Sequence, residues 1–212
     1  MNFMQLRERQ PKFPVTVKTG EGVVELIWNK IEYADGYHVF ASPVGKNHFV
    51  GVINVKGTTA VMKKRANGVP MQYKVKAFRI ADGPDNFFGE SEIVIACPLE
   101  TPRKLTAIVG SDGICTLSWR YNSQCDGFKI YADSNESGKY SFVCYSGKNS
   151  CRLDSFTKSG KVSFVVRSFI MTGHMEKLSV SSAPAEAVLP KSKGAKAVQF
   201  DHSMIRKTAG DY

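Results

Sequence analysis

Residues 34–40 read ADGYHVF and residues 125–131 read CDGFKIY. Each is an Asp-Gly pair, then an aromatic, then a run that alternates. Asp-Gly supplies turn geometry, and alternation at period two makes a half-buried strand. The two stretches lie 91 residues apart. The same offset places Pro11 on Pro102, Trp28 on Trp119, Phe49 on Tyr140, Tyr73 on Phe164, Val75 on Val166 and Phe78 on Phe169. Independent turns do not keep one register across about 70 residues without a gap. The chain therefore builds one unit twice.

The unit reads as β-structure. Val24, Leu26 and Trp28 share one face of VVELIW, and Cys115, Leu117 and Trp119 share the matching face of the second copy. QYKVKAFR and SFVVRSF are rich in β-branched and aromatic residues, which suit a pleated, half-buried surface. Gly, Pro, Asp, Asn and Ser punctuate these runs every 8–12 residues, the spacing of a β-sandwich. No helical period of useful length competes. The expected fold class is all-β, two seven-stranded sandwiches in tandem.

These features resemble the fibronectin type III domain, twice over. The residues that carry the resemblance are the second-strand Trp (VELIW, CTLSW), the ADGY-x-V third strand, and the aromatic at the start of the sixth strand (GVPMQYKVKAF, SGKVSFVVRSF). The joint VIACPLETPRKLTA resembles the linkers between such domains in bacterial modular proteins. The resemblance implies domains at residues 11–98 and 102–189, with a basic tail at 190–212. It implies that Trp28 and Trp119 fill the space between two sheets. It also implies that Tyr73 is a corner tyrosine bonded to nearby backbone. Phe164 at the matching position lacks that hydroxyl, a loss of about 1 kcal/mol. Cys115 stands where the first copy has Val24 and reads as a small core hydrophobe.

The net charge of +10 is spread thinly. Residues 1–100 carry 13 Lys/Arg against 10 Asp/Glu, residues 101–190 carry 11 against 7, and residues 191–212 carry 5 against 2. A nucleic-acid binder concentrates charge in a stripe, so a solvated basic surface or a weak acidic partner fits better. No apolar run approaches the roughly 18 residues of a membrane helix. Five cysteines at 97, 115, 125, 144 and 151 match no zinc spacing and read as free thiols, with one disulfide between neighbours in the second half open. The opening MNFMQLRERQPKFP lacks the apolar core of a secretory signal. Together these favour cytoplasmic synthesis, with export by another route or incorporation in a virion left open.

No phosphate loop, H-E-x-x-H, G-x-S-x-G or EF-hand pattern occurs. His38, His48, His174 and His202 have no spaced partners, and Asp35 and Asp126 read as turn residues. The expectation is a protein without catalysis, cofactor or metal. The repeated residues are the frame, so the unrepeated ones are the candidates for partner binding: Tyr33, Phe87 and Phe88, with the two phenylalanines in the loop ADGPDNFFG, and Val198, Phe200 and Ile205 in the tail. Loop aromatics beside small and acidic neighbours resemble a recognition surface. The expected function is protein binding or spacing. A structural part in a larger assembly (a phage tail, virion or surface appendage) is the alternative, and an accessory role toward carbohydrate follows behind it.

Overall fold

The computed structural model describes residues 12–82, 87–154 and 159–190. The chain divides into two units between Pro98 and Leu99. In the first, strands β1 (Val15–Gly20), β2 (Val23–Trp28) and β5 (Thr59–Met62) form a sheet in the order β1-β2-β5. Strands β3 (Gly36–Pro43), β4 (Val50–Val55), β6 (Met71–Phe78) and β7 (Phe87–Glu90) form the other in the order β4-β3-β6-β7, and β8 (Val94–Ala96) also pairs with β6.

The second unit repeats this plan. Strands β9 (Arg103–Val109), β10 (Cys115–Arg120) and β13 (Ser150–Leu153) make one sheet, ordered β13-β10-β9. Strands β11 (Gly127–Asp133), β12 (Ser141–Ser146), β14 (Gly160–Thr172) and β15 (Met175–Leu178) make the other, ordered β12-β11-β14-β15, with β16 (Ala185–Leu189) on β14. Among the described residues each unit has eight strands where seven were expected, because the last is split in two. One 3-10 turn, Ile80–Asp82, follows β6.

The expected alternation is present in β2, where Val24, Leu26 and Trp28 are buried and their neighbours are half-buried. These residues meet Tyr37, Val39, Tyr73 and Val75 from the opposite sheet in one core. The second core gathers Leu117, Trp119, Phe128, Ile130, Phe164 and Val166 in the same way. Full burial of a large apolar side chain contributes roughly 1.5–3 kcal/mol. Trp28 meets Tyr37 edge-on at 5.2 Å between ring centroids, and Trp119 meets Phe128 at 5.1 Å. Such pairs add about 0.5–1.5 kcal/mol beyond area.

The Asp-Gly motif does more than supply turn geometry. The Asp35 N–H donates to the Phe78 carbonyl at 3.0 Å, and Asp35 Oδ2 accepts from the Ile80 N–H at 2.8 Å. Asp126 repeats both bonds, to the Phe169 carbonyl at 2.9 Å and from the Met171 N–H at 2.7 Å. One side chain thus ties the start of the third strand to the end of the sixth. The glycine that follows is needed for space. A Cβ on Gly36 would lie 2.6 Å from the Phe78 ring, and one on Gly127 would lie 2.9 Å from the Phe169 ring.

A second repeated device explains the split last strand. Ser91 interrupts it between β7 and β8. Its Oγ accepts from the buried Val75 N–H at 2.8 Å while its own N–H donates to the Val75 carbonyl at 2.8 Å. Ser182 does the same for Val166, at 3.0 and 2.9 Å. A hydroxyl replaces the backbone acceptor that the kinked strand withdraws.

Two substitutions test this frame by urea unfolding. Gly36→Ala forces the Phe78 ring aside and is expected to destabilise the first unit by about 1–3 kcal/mol. Ser91→Ala leaves the Val75 amide unpaired and is expected to cost about 1–3 kcal/mol. Free energies within about 0.5 kcal/mol of the parent, the usual range for a surface change, would show that these contacts do not hold the sandwich.

Candidate functional site

The loop between β2 and β3 is held from inside. The Tyr37 hydroxyl accepts from the Ile31 N–H at 2.8 Å, and the Ala34 N–H donates to the Ile31 carbonyl at 3.2 Å. The Ile31 side chain packs on the core. At the crest, Tyr33 has φ +63° and is 67% exposed. A left-handed backbone costs an L-residue roughly 1–2 kcal/mol. Glycine would avoid that cost, yet the position holds a bulky aromatic facing solvent. Its hydroxyl meets the adjacent Glu32 carboxylate, which holds the phenol pKa above its usual value.

Phe87 and Phe88 open strand β7 and are not in a loop, which corrects the placement expected from the Gly-Pro punctuation. Their alternation separates them. Phe88 packs against the core. Phe87 lies on the outer face of the sheet, edge-on to His38 at 5.3 Å and to Phe40 at 5.8 Å between ring centroids. His38 also meets Phe78 edge-on at 5.1 Å, so it stands within an aromatic cluster. Lys76 Nζ lies 5.3 Å from the Phe87 centroid and 3.2 Å from a Glu90 carboxylate oxygen. Lys74 sits 3.5 Å from Glu90 and 4.6 Å over the Phe49 ring. Partial burial pushes the Glu90 carboxyl up, but the hydrogen bonds and charges of Lys76 and Lys74 outweigh it and hold the pKa below its usual value.

The second unit carries a comparable face with different residues. Phe142 meets Tyr131 at 5.9 Å and Tyr145 at 4.9 Å, and Tyr145 meets Phe169 at 5.6 Å. Lys129 stands where the first unit has His38. It lies 5.1 Å over Tyr145 and pairs with Glu176. The sequence reading missed these faces. The available signal was aromatic residues at the outward positions of the third strands, Phe40 and Tyr131, where a one-sided sheet carries polar ones.

Of the six residues singled out, Tyr33, Phe87 and Phe88 lie in the first unit. Val198, Phe200 and Ile205 lie outside the described residues. Among the described residues, no group of three His, Cys, Asp or Glu side chains is placed to hold a metal ion. No described helix is long and apolar enough to cross a membrane.

A three-stranded sheet of first, second and fifth strands faces a sheet ordered fourth, third, sixth, then last, and the pattern occurs twice. The chain is a tandem of fibronectin type III-like sandwiches. No protein-family model matches it, and no curated protein does. Among solved structures, it is similar to a two-domain fibronectin type III segment from chicken tenascin, at 16% identity and TM-score 0.49, covering 85% of this chain and 99% of that one. It is also similar to the FN1–FN3 domains of chicken CNTN1, at 17% identity and TM-score 0.36, covering 85% of this chain and 67% of that one.

The ion pairs on the first fibronectin type III-like sandwich have a pH signature. Because the folded-state pKa of Glu90 is depressed, its contribution is fully present above the unfolded carboxyl value of about 4.3. It is lost as pH falls through the lower folded value. Glu90→Gln is expected to flatten the acid limb of the stability curve below about pH 4.3. Thermal unfolding across pH 2–7 checks this, and an acid limb as steep as the parent's would contradict it.

Proposed function

We propose that this protein is a non-enzymatic binding or spacer protein whose partner contacts are Tyr33 and the outer sheet face that carries Phe87. The observation that carries the reading is Tyr33 itself, an exposed aromatic kept in a left-handed backbone. Strain of this kind accumulates at functional positions. Tyrosine also supplies broad contact area at low entropic cost. Phe87 adds an aromatic edge flanked by Lys76 and Glu90, so the surface suits a protein partner with both apolar and charged groups. Phe88 supports this surface from below.

The proposed limits are residues 11–98 and 102–189 for the two sandwiches and 190–212 for the basic tail. That tail favours a second reading, a structural part in a larger assembly. Val198, Phe200 and Ile205 set apolar residues among its charges, a pattern a purely solvated tail does not need. Removing residues 191–212 is then expected to abolish self-association measured by sedimentation.

Tyr33→Gly separates binding from folding. Relief of the backbone strain is expected to raise the urea midpoint, while capture of the partner by an immobilised full chain falls at least tenfold. Phe87→Ala is expected to weaken the same capture with a smaller loss. A lower urea midpoint for Tyr33→Gly would give Tyr33 a structural role, and unchanged capture by both variants would reject this surface.

A further inference from the structure

We propose that Cys144 and Cys151 form a dithiol that organic disulfides convert into a cross-link between the two sheets of the second sandwich. The two sulfurs lie 3.3 Å apart. A disulfide needs about 2.05 Å, so a shift of about 1 Å shared by two side chains closes it. Cys144 sits on β12 opposite Ile130, and Cys151 on β13 opposite Leu117. Those strands are the edges of different sheets. The bond would therefore clasp the open side of the sandwich.

The other thiols are placed differently. Cys97 and Cys115 are buried, whereas Cys144 and Cys151 are half-exposed. Cys125, also half-exposed, has its pKa pushed up by burial. The Cys144 S–H bonded to Cys151 favours the Cys151 thiolate and holds its pKa down. In the first sandwich the matching positions, at the offset of 91, are Ile53 and Ala60, so that unit cannot form the clasp and serves as an internal control.

The chemistry balances with an organic disulfide such as oxidised glutathione as oxidant. The Cys151 thiolate attacks one sulfur of the reagent, the reagent's S–S bond breaks, and one glutathione thiolate leaves and takes up a proton. The Cys144 thiolate then attacks the Cys151 sulfur and expels the second glutathione, which also takes up a proton. Two protein thiols are oxidised, one reagent disulfide is reduced to two thiols, and the protons move from protein to glutathione.

The test treats the reduced full chain with oxidised glutathione, alkylates it and digests it with trypsin. Lys148 lies between the two cysteines, so cleavage there yields two peptides that stay joined only through the new bond. The expected result is that joined pair, together with a rise of about 5–15 °C in the second unit's melting temperature that dithiothreitol reverses. Cys151→Ala, which copies Ala60 of the first unit, is expected to fold, to form no cross-link and to show no such rise. Cross-linking through Cys115 or Cys125, glutathione retained on Cys144 or Cys151, or no oxidation would each overturn the proposal.

Discussion

In each sandwich an aspartate side chain at the head of the third strand ties that strand to the far end of the sixth. Asp35 and Asp126 are both solvent-exposed, so their role is not core packing. Each accepts a backbone amide from 45 residues away. That bond fixes the third strand against the sixth. The next glycine leaves room for an aromatic ring from the sixth strand, and the aromatic after it meets the tryptophan of the facing sheet. Three consecutive residues thus set strand pairing, close approach and sheet-to-sheet packing. Because pairing register decides which side chains face inward, the alternation of β3 and β11 has meaning only once this tie is made.

Much of this frame was legible as periodicity. Val24, Leu26 and Trp28 alternate because one face is buried, and burial leaves a trace in composition. The paired aspartates were visible as a repeat, but their acceptor role was not, since the partner is a backbone N–H and carries no side-chain signature. Ser91 and Ser182 carry no sequence signal for the same reason, although they obey the same offset. Gly83 and Pro84 mark a loop, and that punctuation makes the sequence place Phe87 and Phe88 in it. Strand β7 begins at Phe87, three positions after Pro84, and the two rings then divide between the outer face and the core. The left-handed backbone at Tyr33 could not be read, because φ is a property of the folded chain.

The two copies keep the frame and differ in what they display. The first places His38, Phe40 and Phe87 on its outer face, while the second places Lys129, Tyr131 and Phe142 on its own. Apolar Ile53 and Ala60 in the first give way to two thiols in the second. Tyr73 gives way to Phe164, and a hydroxyl pair between Tyr140 and Ser163, 2.9 Å apart, lies beside it. Such exchanges cost a sandwich little when volume and patterning are kept. A duplicated frame can therefore carry two different surfaces.

Amide hydrogen exchange at Ile80 and Met171 tests the central tie most directly. The Ile80 N–H lies just past the end of β6 and the Met171 N–H near the end of β14, both beside solvent, where an untethered amide exchanges freely. Each is expected to be protected at least tenfold, and Asp35→Ala is expected to remove the protection at Ile80 while leaving Met171 unchanged. Exchange at the unprotected rate in the parent protein would contradict it.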